Sequence, residues 1–250
     1  MVRIRMENAK TWKTCISAIA ALIDEAAFKF TPEGMRMKAI DPSHVALVDF
    51  ELPADAFVEY EVRKETVLGI DLAEMDKVMS RAKSEDEFVL ELSEGENRLI
   101  LTFRGKSTRR FSLPLIDIRE TELPEPKLEF TASAQVSAGA IQDALKDAGL
   151  VGDSVKFEIS SEEFKMSAEG DSGSVEMKLS KGDEGLKKLD VRQQARAMYN
   201  INYLEDMSKA ASSDDIVTVN LGTDLPIQLN FPMGKKGRLS FLLAPRIEAR

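Results

Sequence analysis

The chain has 250 residues, 43% hydrophobic and 31% charged, which fits a folded protein of one large or two medium domains. No apolar run approaches the ~20 residues that cross a bilayer, Met1–Met6 alternates charged and apolar residues unlike a secretory leader, and the single cysteine, Cys15, excludes an intrachain disulfide or a zinc cluster. These features predict an intracellular, cytoplasmic protein without a membrane partner, and the net charge of −9 opposes nucleic-acid binding unless the cations are segregated onto one surface.

Val2–Glu7 alternates and predicts a strand. Asn8 is placed to cap a helix over Ala9–Ile23, whose apolar stripe is Ala9, Trp12, Ile16, Ile19 and Ile23. Cys15 lies beside that stripe as a small hydrophobe, and no acid interrupts the segment before Asp24. Ala27–Phe30 and Met35–Ile40 flank a hairpin turn, Asp41–His44 is a further turn, and Val45–Leu52 and Tyr60–Val62 are strands. Asp71–Lys83 returns to helical spacing, with acids leading and cations following as the helix dipole favours. Phe88–Leu92, Leu99–Phe103 and Arg109–Leu115 are three more strands. Pro114, Pro124 and Pro126 then make Asp117–Lys127 an extended connector.

The two sides of that connector carry one pattern twice. MSRAKSEDEFV at Met79–Val89 lies over MSKAASSDDIV at Met207–Val217, and the same offset sets RFSLPL at Arg110–Leu115 on RLSFLL at Arg238–Leu243. FKFTPEGMRMKA at Phe28–Ala39 resembles VKFEISSEEFKMSA at Val155–Ala168. Ser137–Gly149 and Ile201–Ala211 are then the second copies of the two helices. Four short helices among many alternating strands predict an α+β layering, divided into residues 1–116, a connector at 117–127, and residues 128–250. A duplicated half can repeat into a closed ring.

No catalytic signature is present. The one histidine, His44, sits in a turn, and there is neither a Walker-type phosphate loop nor a GxGxxG motif. Asp214-Asp215 or Glu85-Asp86-Glu87 would suit a divalent ion in a carboxylate-based hydrolase, but in a chain with 43 acids they read as solvated turns. Hence no catalytic residue, metal or cofactor is expected. Lys10, Lys13, Lys77, Arg81, Lys146 and Lys209 lie on predicted helices away from the apolar stripes. They form either an ordinary solvated face or, if the helices share one side of the sheets, a track for phosphates without base readout. Leu242–Ile247 is either a strand stopped by proline or an apolar patch for a partner peptide.

Four segments resemble the DNA polymerase sliding clamp family, proliferating cell nuclear antigen, in its archaeal form: DPSHVALVDF at Asp41–Phe50, RRFSLPLID at Arg109–Asp117, ELPEPKLEFTA at Glu122–Ala132 and LLAPRIE at Leu242–Glu248. The resemblance implies a non-catalytic homotrimeric ring of six similar domains that encircles duplex DNA. It would be opened by a clamp loader and would tether DNA polymerase, ligase and flap nuclease. The helix cations named above would face DNA. Ile40, His44, Val45, Leu47, Leu123, Pro124, Pro226, Leu242, Leu243, Ala244 and Pro245 would form the partner-peptide pocket, with polar Thr121 making one side shallower. Edge strands Ser107–Leu115 and Ser174–Lys181 would join subunits, with Arg81, Lys83 and Arg109 facing Asp143 and Asp147. The rival reading is an acidic homo-oligomeric interaction scaffold that never meets DNA.

Overall fold

The alternating and helical periodicities are realised in a computed structural model that describes residues 2–93, 95, 97–118, 123, 127–234 and 236–246. The chain divides into two units. Unit 1 comprises Met1–Pro42, Val48–Leu123 and Met233–Leu239; unit 2 comprises Ser43–Leu47, Pro124–Pro232 and Ser240–Arg250.

Unit 1 runs β1 (Val2–Met6), α1 (Lys10–Ala20), β2 (Glu25–Thr31), β3 (Gly34–Ile40), β4 (Ala46–Pro53), β5 (Glu59–Val62), β6 (Thr66–Asp71), α2 (Leu72–Ser80), β7 (Glu87–Ser93), β8 (Arg98–Arg104) and β9 (Thr108–Pro114). One antiparallel sheet has the order β5-β1-β7-β8-β9; the other runs β4-β3-β2-β6. Strand β1 shows why alternation works: Val2, Ile4 and Met6 are buried, while Arg3 and Arg5 stand on the other face. There Arg3 pairs with Glu59 and with Glu91 (3.0 Å), and Arg5 pairs with Glu59 (3.1 Å) and Glu87 (3.0 Å). Trp12 of α1 is the hub of the core. Its ring lies 6.2 Å from Phe28 and 5.9 Å from Phe50, on one sheet, and 6.1 Å from Phe88 on the other.

Unit 2 repeats the order with β10 (Ala132–Ser137), α3 (Ala138–Gly149), β11 (Ser154–Ile159), β12 (Glu163–Gly170), β13 (Gly173–Ser180), β14 (Leu186–Val191), β15 (Ala195–Asn200), α4 (Ile201–Ser208), β16 (Ile216–Leu221), β17 (Ile227–Met233) and β18 (Gly237–Leu243). Its sheets have the orders β13-β12-β11-β15 and β14-β10-β16-β17-β18. Phe157 packs on Phe164 and Tyr199 at 5.8 and 5.9 Å. Each unit is therefore antiparallel sheet backed by two helices, the α+β layering that the patterning predicts.

Several boundaries differ from expectation. The first helix starts at Lys10, not Ala9; Ala9 is the cap residue, without a side-chain cap bond, and Asn8 Oδ1 accepts only from the Lys10 N–H at 3.2 Å. Asp71 and Ser137 are caps and not helical residues, accepting from the N–H groups of Glu74 (2.9 Å) and Ala140 (3.2 Å). Ile23, Ala82 and Ala211, all inside the expected helical spans, are buried, yet all three lie beyond the helix ends. Strand β6 has no counterpart among the strands expected from patterning. Its Gly69 is required by geometry, because a Cβ there would stand 2.1 Å from the Ile116 carbonyl oxygen. Ile116 pairs with Gly69 at the entry to the connector, most of whose residues lie outside the described set.

Truncating Trp12 to alanine empties the space between the two sheets of unit 1. The expected loss is ~3–5 kcal/mol of unfolding free energy, measured by urea titration. Trp12→Phe costs less than half of that, because the indole Nε1 has no hydrogen-bond partner among the described residues.

Candidate functional site

Helices α1 and α2 pack together in unit 1, as do α3 and α4 in unit 2. Six helix cations are expected on these pairs, and the structure sorts them into three kinds. Lys77, Lys146 and Lys209 are exposed and bridged to the acid three residues earlier: Glu74 at 2.6 Å, Asp143 at 3.1 Å and Asp206 at 2.5 Å. Glu74 raises the Lys77 ammonium above its ordinary pKa. Lys13 turns inward along the helix pair and donates to the carbonyls of Ser80 (2.9 Å) and Ala82 (3.0 Å). Lys10 and Arg81 are exposed, and among the described residues their side chains have no partner; the same holds for Lys83.

Arg109, expected at a subunit junction, is anchored in its own chain. It pairs with the buried carboxylate of Asp86, donates to the Arg81 carbonyl at 2.6 Å and lies 5.5 Å from the Phe103 ring centre. Gly105 makes room for this, since a Cβ there would meet Asp86 Oδ1 at 2.1 Å. Asp86 is thereby withdrawn from the Glu85-Asp86-Glu87 cluster, and no described group of three or more His, Cys, Asp or Glu side chains is placed to hold a metal ion. Asp143 is taken by Lys146, whereas Asp147 is exposed. Cys15 is fully buried, and burial pushes its thiol pKa far up, so it is packing and not a nucleophile.

The residues expected to hold a partner peptide fall in both units. Ile40 and Leu123, both half-buried, belong to unit 1; Pro124 and Thr121 lie outside the described residues. Unit 2 holds His44, Val45, Leu47, Pro226 and Leu242–Pro245. His44 has φ 58, a left-handed backbone that a non-glycine residue seldom adopts. It delivers Val45, which is 37% exposed, so that its carbonyl accepts from the Ala244 N–H at 2.8 Å. Two residues on, the Arg246 N–H donates to the Met198 carbonyl at 2.7 Å, and its guanidinium grips Asp153 at 2.7 Å. That contact holds the Asp153 carboxyl below its ordinary pKa. The turn before Pro226 is held by the buried Tyr199 hydroxyl, which donates to the Leu225 carbonyl at 2.6 Å. Leu243 faces the core at 1% exposure, with Leu239 and Phe241, so Leu242 is the half-exposed leucine of the pair.

Among the described residues strand β9 pairs only with β8, and β13 only with β12, so each is an edge of its sheet. Sequence patterning does not single out Leu150, 79% exposed just beyond α3. It precedes the Val151–Gly152 stretch that closes on Glu169 and Gly170 at the turn into β13. Its only sequence signal is a leucine off the stripe beside Gly149.

Two family descriptions match the chain: Proliferating cell nuclear antigen, N-terminal domain, over residues 1–122, and Proliferating cell nuclear antigen, C-terminal domain, over residues 124–246. The DNA polymerase sliding clamp of Thermococcus gammatolerans is 44% identical over 245 residues, covering 98% of this chain and 98% of that protein. Among solved structures, PCNA from Thermococcus kodakaraensis superposes with a TM-score of 0.95 at 37% identity, covering 98% of this chain and 100% of that one. A. fulgidus PCNA, solved with the C-terminal region of FEN-1, gives 0.90 at 31% identity, with 100% of both chains covered. The chain, with its two sheet-and-helix-pair units and both family domains matched in order, belongs to the proliferating cell nuclear antigen family.

Proposed function

We propose that this protein is a DNA polymerase sliding clamp: it encircles duplex DNA and tethers DNA polymerase and other replication and repair enzymes, without catalysis of its own. The observation that carries the reading is the duplicated helix pair. Each copy presents cations at its helix pair, a chemistry suited to phosphates. Lys10, Arg81 and Lys83 are open cations at the helix pair of unit 1, and the ammonium groups of Lys77, Lys146 and Lys209 need only exchange a surface acid for a phosphate. Such exposed pairs are worth ~0–1 kcal/mol, so the exchange costs little.

Two of the open sheet edges, β9 and β13, suit self-assembly. β9 has 7 residues and β13 has 8, so one subunit's β9 is long enough to add along the next subunit's β13. Because the two edges differ, the contact is head-to-tail, which closes into a ring when the rotation allows. Three copies, each divided at a connector over residues 117–127, make the six-domain homotrimer. Exposed Leu150 near the start of β13 adds apolar area there, and Asp147 is open to a cation of the neighbour. A clamp loader would open the ring, in the cytoplasm, and polymerase, ligase and flap nuclease would dock through short peptides. The exposed Val45, half-exposed Leu242 and Leu123, and Pro245 are the apolar contacts for such a peptide. Support comes from the A. fulgidus relative, which has the C-terminal region of FEN-1 bound to it.

Four kinds of measurement test this reading. Loaded onto circular and linear DNA, the protein is retained on the circle and lost from the open ends; equal loss from both rules out encirclement. If the circle holds the ring, charge reversal at Lys10, Lys77 and Lys209 to glutamate reduces polymerase stimulation, and stimulation left intact favours the acidic scaffold. Leu123→Ser combined with Leu242→Ser weakens binding of a nuclease C-terminal peptide at least tenfold, or about 1.4 kcal/mol, in calorimetry. In light scattering across a dilution series the protein holds three times the 27.8 kDa chain mass. Asp143→Arg with Asp147→Arg shifts the dissociation to higher concentration, and an unchanged curve would remove those acids from the interface.

A further inference from the structure

The inference rests on a hydrogen-bond pattern present twice. In unit 1, the Lys13 ammonium of α1 donates to the carbonyls of Ser80 and Ala82 at 2.9 and 3.0 Å. In unit 2, the Gln142 amide of α3 donates to the carbonyls of Ser208 and Ala211, also at 2.9 and 3.0 Å. Ser80 and Ser208 are the last residues of α2 and α4, and they are the same residue in the duplicated segment. The surroundings repeat as well. The Ala9 N–H donates to the Asp86 carbonyl and the Ala138 N–H to the Asp215 carbonyl, both at 2.8 Å. The carboxylates of Asp86 and Asp215 accept from the N–H groups of Lys83 (2.9 Å) and Ser212 (2.7 Å).

A helix end leaves carbonyls without partners, and the common remedy is a left-handed residue, usually glycine, that folds the next N–H groups back onto them. Neither helix has it. The residues after α2 and α4, Arg81 (φ −80, ψ −13) and Lys209 (φ −63, ψ −15), stay right-handed. The side chain from the partner helix takes over that work, and in doing so fixes the pair end to end. A glutamine amide has two N–H donors and Gln142 uses both; a lysine ammonium has three and Lys13 uses two. A neutral amide performs the task in unit 2, so the charge of Lys13 is not what the task requires.

We propose that Lys13 and Gln142 are equivalent braces, each tying the first helix of its unit to the C-terminal end of the second, and that Lys13 is a positioning residue where its place on α1 reads as a phosphate contact. The contrast with phosphate contact rests on the clamp reading; the brace does not. Holding α1 against α2 fixes the spacing between the open cations Lys10 and Arg81.

The test compares Lys13→Gln with Lys13→Met in the full-length protein. Both remove one charge, but only glutamine can remake the two hydrogen bonds. Lys13→Met is expected to lower the thermal midpoint by ~2–6 °C and to speed amide exchange at residues 78–82 roughly tenfold, while Lys13→Gln stays within ~1 °C and keeps that protection. In unit 2, Gln142→Met is expected to fall in the same way and Gln142→Lys to hold. If the glutamine and methionine variants at position 13 fall together, or neither falls, the brace is wrong. DNA retention by the two variants reads the shared loss of charge. If the parent protein is not retained on circular DNA, the clamp reading fails and the thermal comparison still decides the brace.

Discussion

The antiparallel helix pair is the element on which each unit depends, and its weak point is the open C-terminal end of its second helix. Short helices of 8 or 9 residues are marginal by themselves, because so few internal hydrogen bonds repay nucleation. α2 and α4 therefore persist through packing and through what their ends are tied to. At the end of α2 two cations converge from distant segments, Lys13 from α1 and Arg109 from β9, both onto carbonyls, where the helix dipole favours positive charge. Arg109 then carries the connection to the buried Asp86, whose main chain returns to the start of α1. One closed circuit thus links both helices and an edge strand. Unit 2 keeps the brace and the return to α3 but lacks the arginine, and its Asp215 is exposed where Asp86 is buried.

The duplication has diverged most in the core, under the same backbone. Trp12 fills the space between the sheets of unit 1, where α3 offers the smaller Ile141. Unit 2 builds its aromatic contacts from strands instead, with Phe157, Phe164 and Tyr199 at its centre. Tyr199 brings a hydroxyl that must find a partner when buried. It finds the Leu225 carbonyl and so fixes the turn that carries Pro226.

How much of this was legible depends on the range over which each interaction acts. Alternation in VRIRM and stripes such as Trp12, Ile16 and Ile19 are local, and they mark most strands and both helices of unit 1, while the duplication carries the helix assignments into unit 2. The expected helical spans run past the true helix ends because burial and helicity are separate properties: Ile23, Ala82 and Ala211 are buried beyond the helix ends. Strand β6 hid behind Gly69, which lowers strand propensity and is explained only by the Ile116 carbonyl pressed against it. For Lys13 the sequence showed a cation off the stripe; that its long chain reaches α2 is a tertiary fact. Leu243 is the opposite case. The alternation Leu239, Phe241, Leu243 was present in the sequence and already marks Leu243 as inward and Leu242 as outward.

The charge distribution is compatible with the proposed phosphate-facing surface on an acidic chain. Arg3 and Arg5 on β1 are spent on Glu59, Glu87 and Glu91, and Lys165 on Glu158 and Glu176, so the cations of these sheets are largely neutralised in place. Helix α1 contains no acid at all, and its cations have only backbone partners or none. Lys77 on α2, Lys146 on α3 and Lys209 just after α4 are each paired with an acid one turn back, at the surface. Those acids soften the attraction to a phosphate without abolishing it, since exposed charges are screened within about 8 Å at physiological salt. A surface of many weak, exchangeable contacts has no single position on the duplex that it strongly prefers. In the proposed clamp such a surface resists lateral movement little, and retention comes from closure of the ring.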